Sequence, residues 1–190
     1  MAITDLSAVP QERFKVAGRH FVSPFNFLPP VTQDFEIPTP LGLIDSTIRK
    51  VIYTTGVRPS DKDLLDICEL LEELGIEEES LNMWWRGAEV PDAPEHAAVK
   101  VVAKAGFNFK VNVFTDTLLG DGTVPMTRMK QTVDMLASYG VKILNPGMQQ
   151  APTEDARKQQ IDDLHAMAEY VAACGMEWNV TIAQCARRSE

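Results

Sequence analysis

The sequence predicts an α/β fold made of parallel β/α repeats. Two observations lead to this prediction. From residue 41 onward, short apolar runs of strand length alternate with amphipathic helical segments, and a glycine closes each of these segments. Strands that are separated by helices pair in parallel, through right-handed crossovers. The alternation is typical of two architectures, an open doubly wound sheet and a (β/α)₈ barrel.

The length of the chain and its first loop bear on the choice between these two architectures. No Gly-rich phosphate loop follows the first strand, which argues against the nucleotide-binding form of the open sheet. A complete barrel needs roughly 250 residues, whereas this chain has 190. We therefore expect a partial TIM-type barrel, or one that is completed in an oligomer.

Five strands and four helices are predicted in turn. The apolar runs predict strands at Leu41–Ile48, Ser80–Trp84, Phe107–Phe114, Val141–Leu144 and Trp178–Ile182. Capping residues and closing glycines place the helices between Ser60 and Gly75, over Pro94–Ala105 before Gly106, over Met126–Ser138 before Gly140, and between Thr153 and Gly175. In the last helix, the residues expected to face inward are Ile161, Leu164, Met167, Ala168 and Val171.

Two polar stretches between these elements have their own predictions. Asn145–Pro146–Gly147 has the composition of a turn. The acidic residues after the first long helix are expected to form a solvated edge rather than a metal cage; they are Glu72, Glu73, Glu77, Glu78 and Glu79.

Residues 1–40 differ in composition from residues 41–190. They are rich in proline and aromatic residues, which favours an extended arm or a short hairpin over a helix. The sequence therefore predicts an arm over residues 1–40 and a partial-barrel domain over residues 41–190. The aromatic side chains of the arm need a surface to pack on, and a neighbouring subunit of a homo-oligomer is one candidate.

Charge and composition exclude several classes of function. A net charge of −9 argues against nucleic acid and against an anionic membrane surface as partners. The three cysteines are far apart, without a C-x-x-C pair, so neither a disulfide framework nor a zinc ribbon is predicted. The sequence has no apolar stretch long enough to span a bilayer and no signal-peptide pattern at its start. A cytoplasmic protein is expected.

The first predicted strand and the segments after it resemble a known family. The run Ile44-Asp45-Ser46-Thr47-Ile48-Arg49, with the later segments KVNVFTDT and VKILNP, is similar to the DRE-TIM metallolyases. That family includes isopropylmalate and homocitrate synthases, hydroxymethylglutaryl-CoA lyase and the carboxyltransferase domains of pyruvate carboxylase. The resemblance covers residues 41–190, which would be the first five β/α units of a barrel. It implies carbon–carbon lyase or synthase chemistry of the aldol or Claisen type, on a small 2-oxo carboxylate or an acyl-CoA.

The resemblance also implies roles for individual residues. Arg49 falls on the family's strand-end arginine, which stabilises a developing enolate or carbonyl oxyanion. The family's next residue is an aspartate that binds a divalent cation, but here it is Lys50, and a protonated lysine cannot ligate the ion. The family's H-x-H pair is absent as well. No metal or other cofactor is predicted, and Lys50 is instead expected to contribute its own positive charge, or a Schiff base, as a catalytic residue.

Other polar residues follow the predicted strands. Asp116 is a candidate general base, or alternatively a cap of the turn that follows it. The candidate substrate-binding residues are Asn82, Thr115, Asn145, Gln184 and Arg187. Arg187 would suit a carboxylate or a CoA phosphate, with a solvated arginine as the alternative.

Three interpretations remain open at this point. The chain is the front part of a barrel enzyme whose other strands come from elsewhere, a non-catalytic barrel fragment that binds a partner, or a small open α/β binding domain that matches the signature by chance.

Overall fold

The chain divides into two compact units, Met1–Leu41 and Gly42–Glu190. The computed structural model describes residues 15–16, 20–21, 42–54, 57–85, 87–90, 92–118, 122–148 and 151–182. In the first unit, strands β1 (Lys15–Val16) and β2 (His20–Phe21) pair in an antiparallel manner.

The second unit alternates strands and helices. Its strands are β3 (Ile44–Asp45), β4 (Glu78–Asn82), β5 (Lys110–Leu118), β6 (Ile143–Met148), β7 (Glu177–Trp178) and β8 (Thr181–Ile182). Its helices are α1 (Thr47–Thr54), α2 (Asp61–Glu73), α3 (Pro94–Ala105), α4 (Met126–Tyr139) and α5 (Glu154–Ala173), with a 3₁₀ turn at Gly87–Glu89. The predicted α/β class is confirmed.

The strands of the second unit form one parallel sheet. They lie side by side in chain order from β3 to β7, and β8 pairs with β6 beyond the end of β7. Consecutive order combined with right-handed crossovers places the connecting helices on one face of a sheet. Among the described residues the sheet is open, because β3 pairs with β4 alone and β7 with β6 alone.

The two faces of this sheet differ in chemistry. The helix face carries apolar side chains that share one core with the helices: Leu81, Met83, Val111, Val113 and Leu144. The opposite face, which we call the polar face, carries the alternating residues Ser80, Asn82, Asn112, Phe114, Ile143 and Asn145. Ile143 is 2% exposed and yet belongs to no part of that core, which agrees with its place on the polar face.

The helix boundaries follow the predicted caps closely. Ser60 and Asp63 form a reciprocal capping box at the start of α2. Gly106 and Gly140 end α3 and α4 in the left-handed conformation, with φ angles of 78° and 94°. Met167 and Val171 of α5 are buried as predicted, whereas Ile161 is 46% exposed and does not face the core.

The first predicted strand is wrong over most of its length. Only Ile44–Asp45 is a strand, and helix α1 begins at Thr47. The carboxylate of Asp45 accepts hydrogen bonds from the Thr47 backbone N–H at 2.7 Å and from its hydroxyl at 3.0 Å, which turns the chain into the helix. Arg49 therefore lies in the first turns of a helix rather than at the tip of a strand.

The predicted turn at Asn145–Pro146–Gly147 is also wrong. These three residues lie inside β6, where Asn145 pairs with Phe114 and Pro146 with Thr115. Pairing with strands on both sides overrides the local preference for a turn, although Pro146 cannot donate a hydrogen bond to the ladder. The second and third strands are shifted relative to their predicted limits. β4 covers Glu78–Asn82 and therefore begins and ends earlier, whereas β5 covers Lys110–Leu118 and begins and ends later.

One member of the predicted acidic edge is not solvated. Glu79 lies in β4 with 0% exposure, on the helix face of the sheet. The glutamates near it, including Glu77, remain exposed or half-buried. Strand alternation explains the difference, because it turns Glu79 inward with Leu81 while it turns Glu78 to the other face.

Candidate functional site at the carboxyl ends of the strands

The candidate site lies on the polar face, at the carboxyl end of β4 and beside the inner parts of β5 and β6. Arg49, half-buried on α1, places its guanidinium carbon 5.0 Å from the centroid of the Phe114 ring. This distance is typical of a cation–π contact. Helix α1 therefore delivers a fixed positive charge to the carboxyl end of the sheet, the edge where ligands bind in parallel α/β proteins.

Phe114 lies between two asparagines in the sheet. Asn82 on β4 and Asn145 on β6 are its register partners, so the three side chains form one row across neighbouring strands. Adjacent strands are about 4.8 Å apart, so both amides lie next to the ring that Arg49 covers. The structure thus brings together three of the predicted site residues: Arg49, Asn82 and Asn145.

The amides of this face are oriented by their neighbours. The Thr181 hydroxyl donates a hydrogen bond to Asn145 Oδ1 at 2.9 Å, so the Asn145 N–H groups point away from Thr181. One row deeper, Asn112 donates from Nδ2 to a Glu78 carboxylate oxygen at 2.5 Å. A carboxylate oxygen only accepts, so the Glu78 contact identifies Nδ2 as the atom of Asn112 that faces it.

Two buried acceptors on this face have no partner. Asn82 Oδ1 and Asn112 Oδ1 are inaccessible to solvent and make no hydrogen bond with any residue that the structure describes. A buried, unsatisfied amide oxygen costs about 1–3 kcal/mol. A ligand or bound water that donates a hydrogen bond here would remove that cost.

Asp116 fixes the loop that follows β4. Its carboxylate accepts a hydrogen bond from the Trp85 backbone N–H at 2.6 Å, and its backbone carbonyl accepts one from Trp85 Nε1 at 2.9 Å. Thr132 on α4 donates to the Trp85 carbonyl. Asp116 thus holds a buried tryptophan, and its role as a general base stays a prediction.

Lys50 and Thr115, two further predicted site residues, do not join this row. Lys50 is exposed on α1. Thr115 lies on the helix face at 1% exposure, in register with Pro146 and opposite in direction to Phe114. Gln184 and Arg187 lie outside the described residues.

A pair of acidic residues beneath α1 was missed by the sequence analysis. Burial first, and the hydrogen bond and charge of Asp45 second, raise the pKa of Glu79 to about 9, so this carboxyl is protonated at neutral pH. Partial burial works to raise the pKa of Asp45, but hydrogen bonds from Thr47, Glu79 and Ser46 hold it below its ordinary value. Burial, and next the Glu79 carboxyl, raise the pKa of the Cys68 thiol to about 12. The burial of Glu79 could not be predicted from the sequence, because five glutamates in a short stretch resemble a solvated surface.

The described residues do not fit the divalent cation that the family resemblance implies. They offer no group of three His, Cys, Asp or Glu side chains placed to hold a metal ion. At the position of the family's metal-binding aspartate stands Lys50, which is exposed and positively charged.

No protein-family model, curated protein or solved structure matches this chain. The resemblance to the DRE-TIM metallolyases therefore depends on the sequence motifs alone and stays a prediction. Across the described part of the chain, each helix is too short or too polar to cross a lipid bilayer.

Proposed function

We propose that this protein binds a small carboxylate of the 2-oxo acid class at the polar face and promotes carbon–carbon chemistry of the aldol or Claisen type. The observation that supports the proposal best is the position of Arg49. A guanidinium held over the Phe114 ring, beside Asn82 at the carboxyl end of β4 and Asn145 inside β6, is suited to bind a carboxylate or an enolate oxygen.

Arg49 would act through electrostatic stabilisation. Aldol and Claisen reactions pass through an enolate, whose negative oxygen is stabilised by a fixed positive charge in a site shielded from water. The Phe114 ring covers one face of the guanidinium, and the N–H donors at the edge of this planar group match the geometry of carboxylate oxygens. This role needs a positive charge at the oxyanion and does not need a set of metal ligands. The described residues offer no such set of ligands.

The asparagines would orient the substrate. Asn82 Oδ1 and Asn112 Oδ1 are acceptors without a partner among the described residues, so they favour a ligand that carries a hydrogen-bond donor. Asn145, with its oxygen occupied by Thr181, presents its N–H donors instead. Donors and acceptors on either side of Phe114 would fix a small polar molecule in a single orientation.

Exchange of the methyl protons of pyruvate with D₂O, followed by NMR, tests the proposal. An enolate-stabilising site should accelerate this exchange without any second substrate. We expect Arg49→Gln to reduce the acceleration by about 100-fold, the range of loss for one oxyanion-stabilising group. Arg157→Gln, on the exposed surface of α5, is the matched control and should keep the full rate. An Arg49→Gln variant as fast as the unaltered protein would remove Arg49 from the mechanism.

A second candidate function is favoured by the two edges of the sheet. At the β3 edge, Leu43 and Ile44 are 47% and 68% exposed. At the β7 edge, an open groove of about 230 Å³ is lined by apolar residues and a histidine: Ile161, Leu164, His165, Ala168 and Trp178. Exposed apolar side chains at both ends of an open parallel sheet are suited to pairing with further β/α units. We propose that another chain, or a second copy of this one, continues the sheet into a TIM-type barrel.

The mass of the particle in solution tests this second candidate. Light scattering after size exclusion should show a homo-oligomer, and Ile44→Lys should shift it to the monomer without loss of helix content by circular dichroism. Lys62→Ala, an exposed change on α2, controls for altered surface charge. A monomer at every concentration, together with full pyruvate exchange activity, would contradict completion of the barrel by a second copy.

A further inference from the structure

We propose that Asp45 and Glu79 form a carboxyl pair that positions Arg49. This inference rests on the proposed function of Arg49 and adds two residues that the sequence comparison with the family does not place in the site. The two residues reach Arg49 through the first turn of α1, not through the substrate, so they are positioning residues.

Asp45 is the residue that starts α1. Both of its oxygen atoms accept hydrogen bonds from Thr47, the first residue of the helix, at 2.7 Å and 3.0 Å. Arg49 follows two residues later, in the same turn. Loss of the Asp45 side chain leaves the Thr47 N–H and hydroxyl without these acceptors and frays the first turn of the helix. The turn that frays here is the one that carries the guanidinium to Phe114.

Glu79 lies beneath this turn. It pairs with Asp45 in the parallel register of β3 and β4, and it is fully buried. The Ile48 backbone N–H of α1 also points to it, and favours its charged form. Neither Glu79 oxygen has a partner of full hydrogen-bond geometry among the described residues, so the carboxyl is available to hydrogen-bond with Asp45. With its proton in place, Glu79 supports the Asp45 carboxylate instead of repelling it.

The groups that surround Glu79 leave Asp45 as its main charged neighbour. On α2 the thiol of Cys68 is neutral, because burial raises its pKa to about 12. From α3 the core residues are Ala98, Val99 and Val102, and His96 instead contacts the Val90 carbonyl. On β5 the register partner is Val111. When Glu79 ionises, two facing carboxylates therefore meet in a buried place with no cationic side chain among these neighbours, and the cap of α1 is destabilised.

The test follows the carbon-bound δ protons of Arg49 by NMR in the full chain, without substrate. The Phe114 ring shifts these protons, and Phe114→Leu gives their position without the ring. We expect Asp45→Ala to move the Arg49 signals most of the way to that reference, and Asp45→Asn, which keeps a capping oxygen, to restore much of the shift. The matched control is Asp63→Ala, which removes the Asp63 half of the capping box of α2 and should leave Arg49 unmoved.

The pH profile separates positioning from a purely structural role. In the unaltered protein the Arg49 signals should move toward the Phe114→Leu reference as the pH rises through about 9, the pKa of Glu79. In Glu79→Gln, which is neutral at every pH, they should stay in place. Identical profiles for these two proteins, or an unmoved Arg49 in Asp45→Ala, would overturn the proposal. Failure of pyruvate exchange alone would count against the proposed function and leave this result intact.

Discussion

The guanidinium carbon of Arg49 lies 5.0 Å from the centroid of the Phe114 ring, and this contact joins helix α1 to the middle of the sheet. The two residues are 65 positions apart in the chain, and β4 lies between β5 and the strand β3 that precedes α1. Asn82, at the end of β4, is the register partner of Phe114 on the side of β3. One contact thus fixes the position of α1 and the composition of the candidate site.

A double-mutant cycle measures the strength of this contact. Arg49→Met and Phe114→Leu each remove one partner while they keep an apolar side chain of similar size. We expect a coupling free energy of about 0.5–1 kcal/mol, because the pair is half-buried and cation–π contacts at partly exposed sites lie in that range. Urea denaturation of the four proteins gives the free energies of unfolding. Additive effects of the two changes would mean that the two side chains do not interact in solution.

Replacement of Glu79 by glutamine should stabilise the protein in a pH-dependent way. Glu79 has its ordinary pKa of 4.5 in the unfolded chain and about 9 in the folded one. Between these values the unfolded state binds fewer protons than the native state, so the stability of the unaltered protein falls as the pH rises. Glutamine removes that loss, and the advantage of Glu79→Gln should therefore grow from pH 5 to pH 9 and then level off.

Chemical denaturation at several pH values checks this behaviour. Glu77→Gln, a change at an exposed position two residues earlier, serves as the control and should show no such growth. A constant difference between Glu79→Gln and the unaltered protein over this range would mean that Glu79 is already ionised in the native state. For Asp45 the pH dependence of the stability has the opposite sign. Its pKa is lowered in the folded protein, so its contribution to the free energy of unfolding is lost as the pH falls.

Local signals were sufficient to predict helices α2 to α5 and the class of the fold, whereas α1 was missed and its first residues were predicted as a strand. Ser60 with Asp63 marks the start of α2, and Gly106 and Gly140 mark the ends of α3 and α4, because caps and left-handed glycines act within one turn of the chain. Strand limits depend on partners that are distant in sequence. Asn145–Pro146–Gly147 has the composition of a turn, yet pairing with β5 keeps it extended.

The candidate site could be predicted only in part, for a related reason. Arg49, Asn82 and Asn145 follow from the rule that polar residues near strand ends meet at one edge of a parallel sheet. The direction of each side chain depends on its exact register, and a shift of one residue reverses it. Thr115 consequently faces the helices, and Glu79, predicted as part of a solvated edge, is buried under α1.

Two glycines in the same conformation should respond differently to replacement by alanine. Gly140 has a φ of 94°, and a Cβ atom there would lie 3.3 Å from the Ala103 carbonyl oxygen of the neighbouring helix. Gly75 has a φ of 74° with open space around the same position. Both changes incur the left-handed penalty of about 1 kcal/mol, so Gly140→Ala should destabilise the protein more than Gly75→Ala. Equal losses of melting temperature would mean that the α3–α4 contact relaxes without cost.

Two substitutions of Asp116 should separate its structural role from its predicted catalytic one. Asp116→Ala removes the acceptor of the Trp85 N–H and should destabilise the protein by about 1–3 kcal/mol, the cost of an unsatisfied buried donor. Asp116→Asn keeps an oxygen for that hydrogen bond but has no basicity, so it should retain most of the stability. If Asp116 is the general base, Asp116→Asn should nevertheless lose pyruvate proton exchange by about 100-fold or more. Full exchange in a stable Asp116→Asn protein would leave Asp116 with a structural role alone, as the residue that holds Trp85 beside the site.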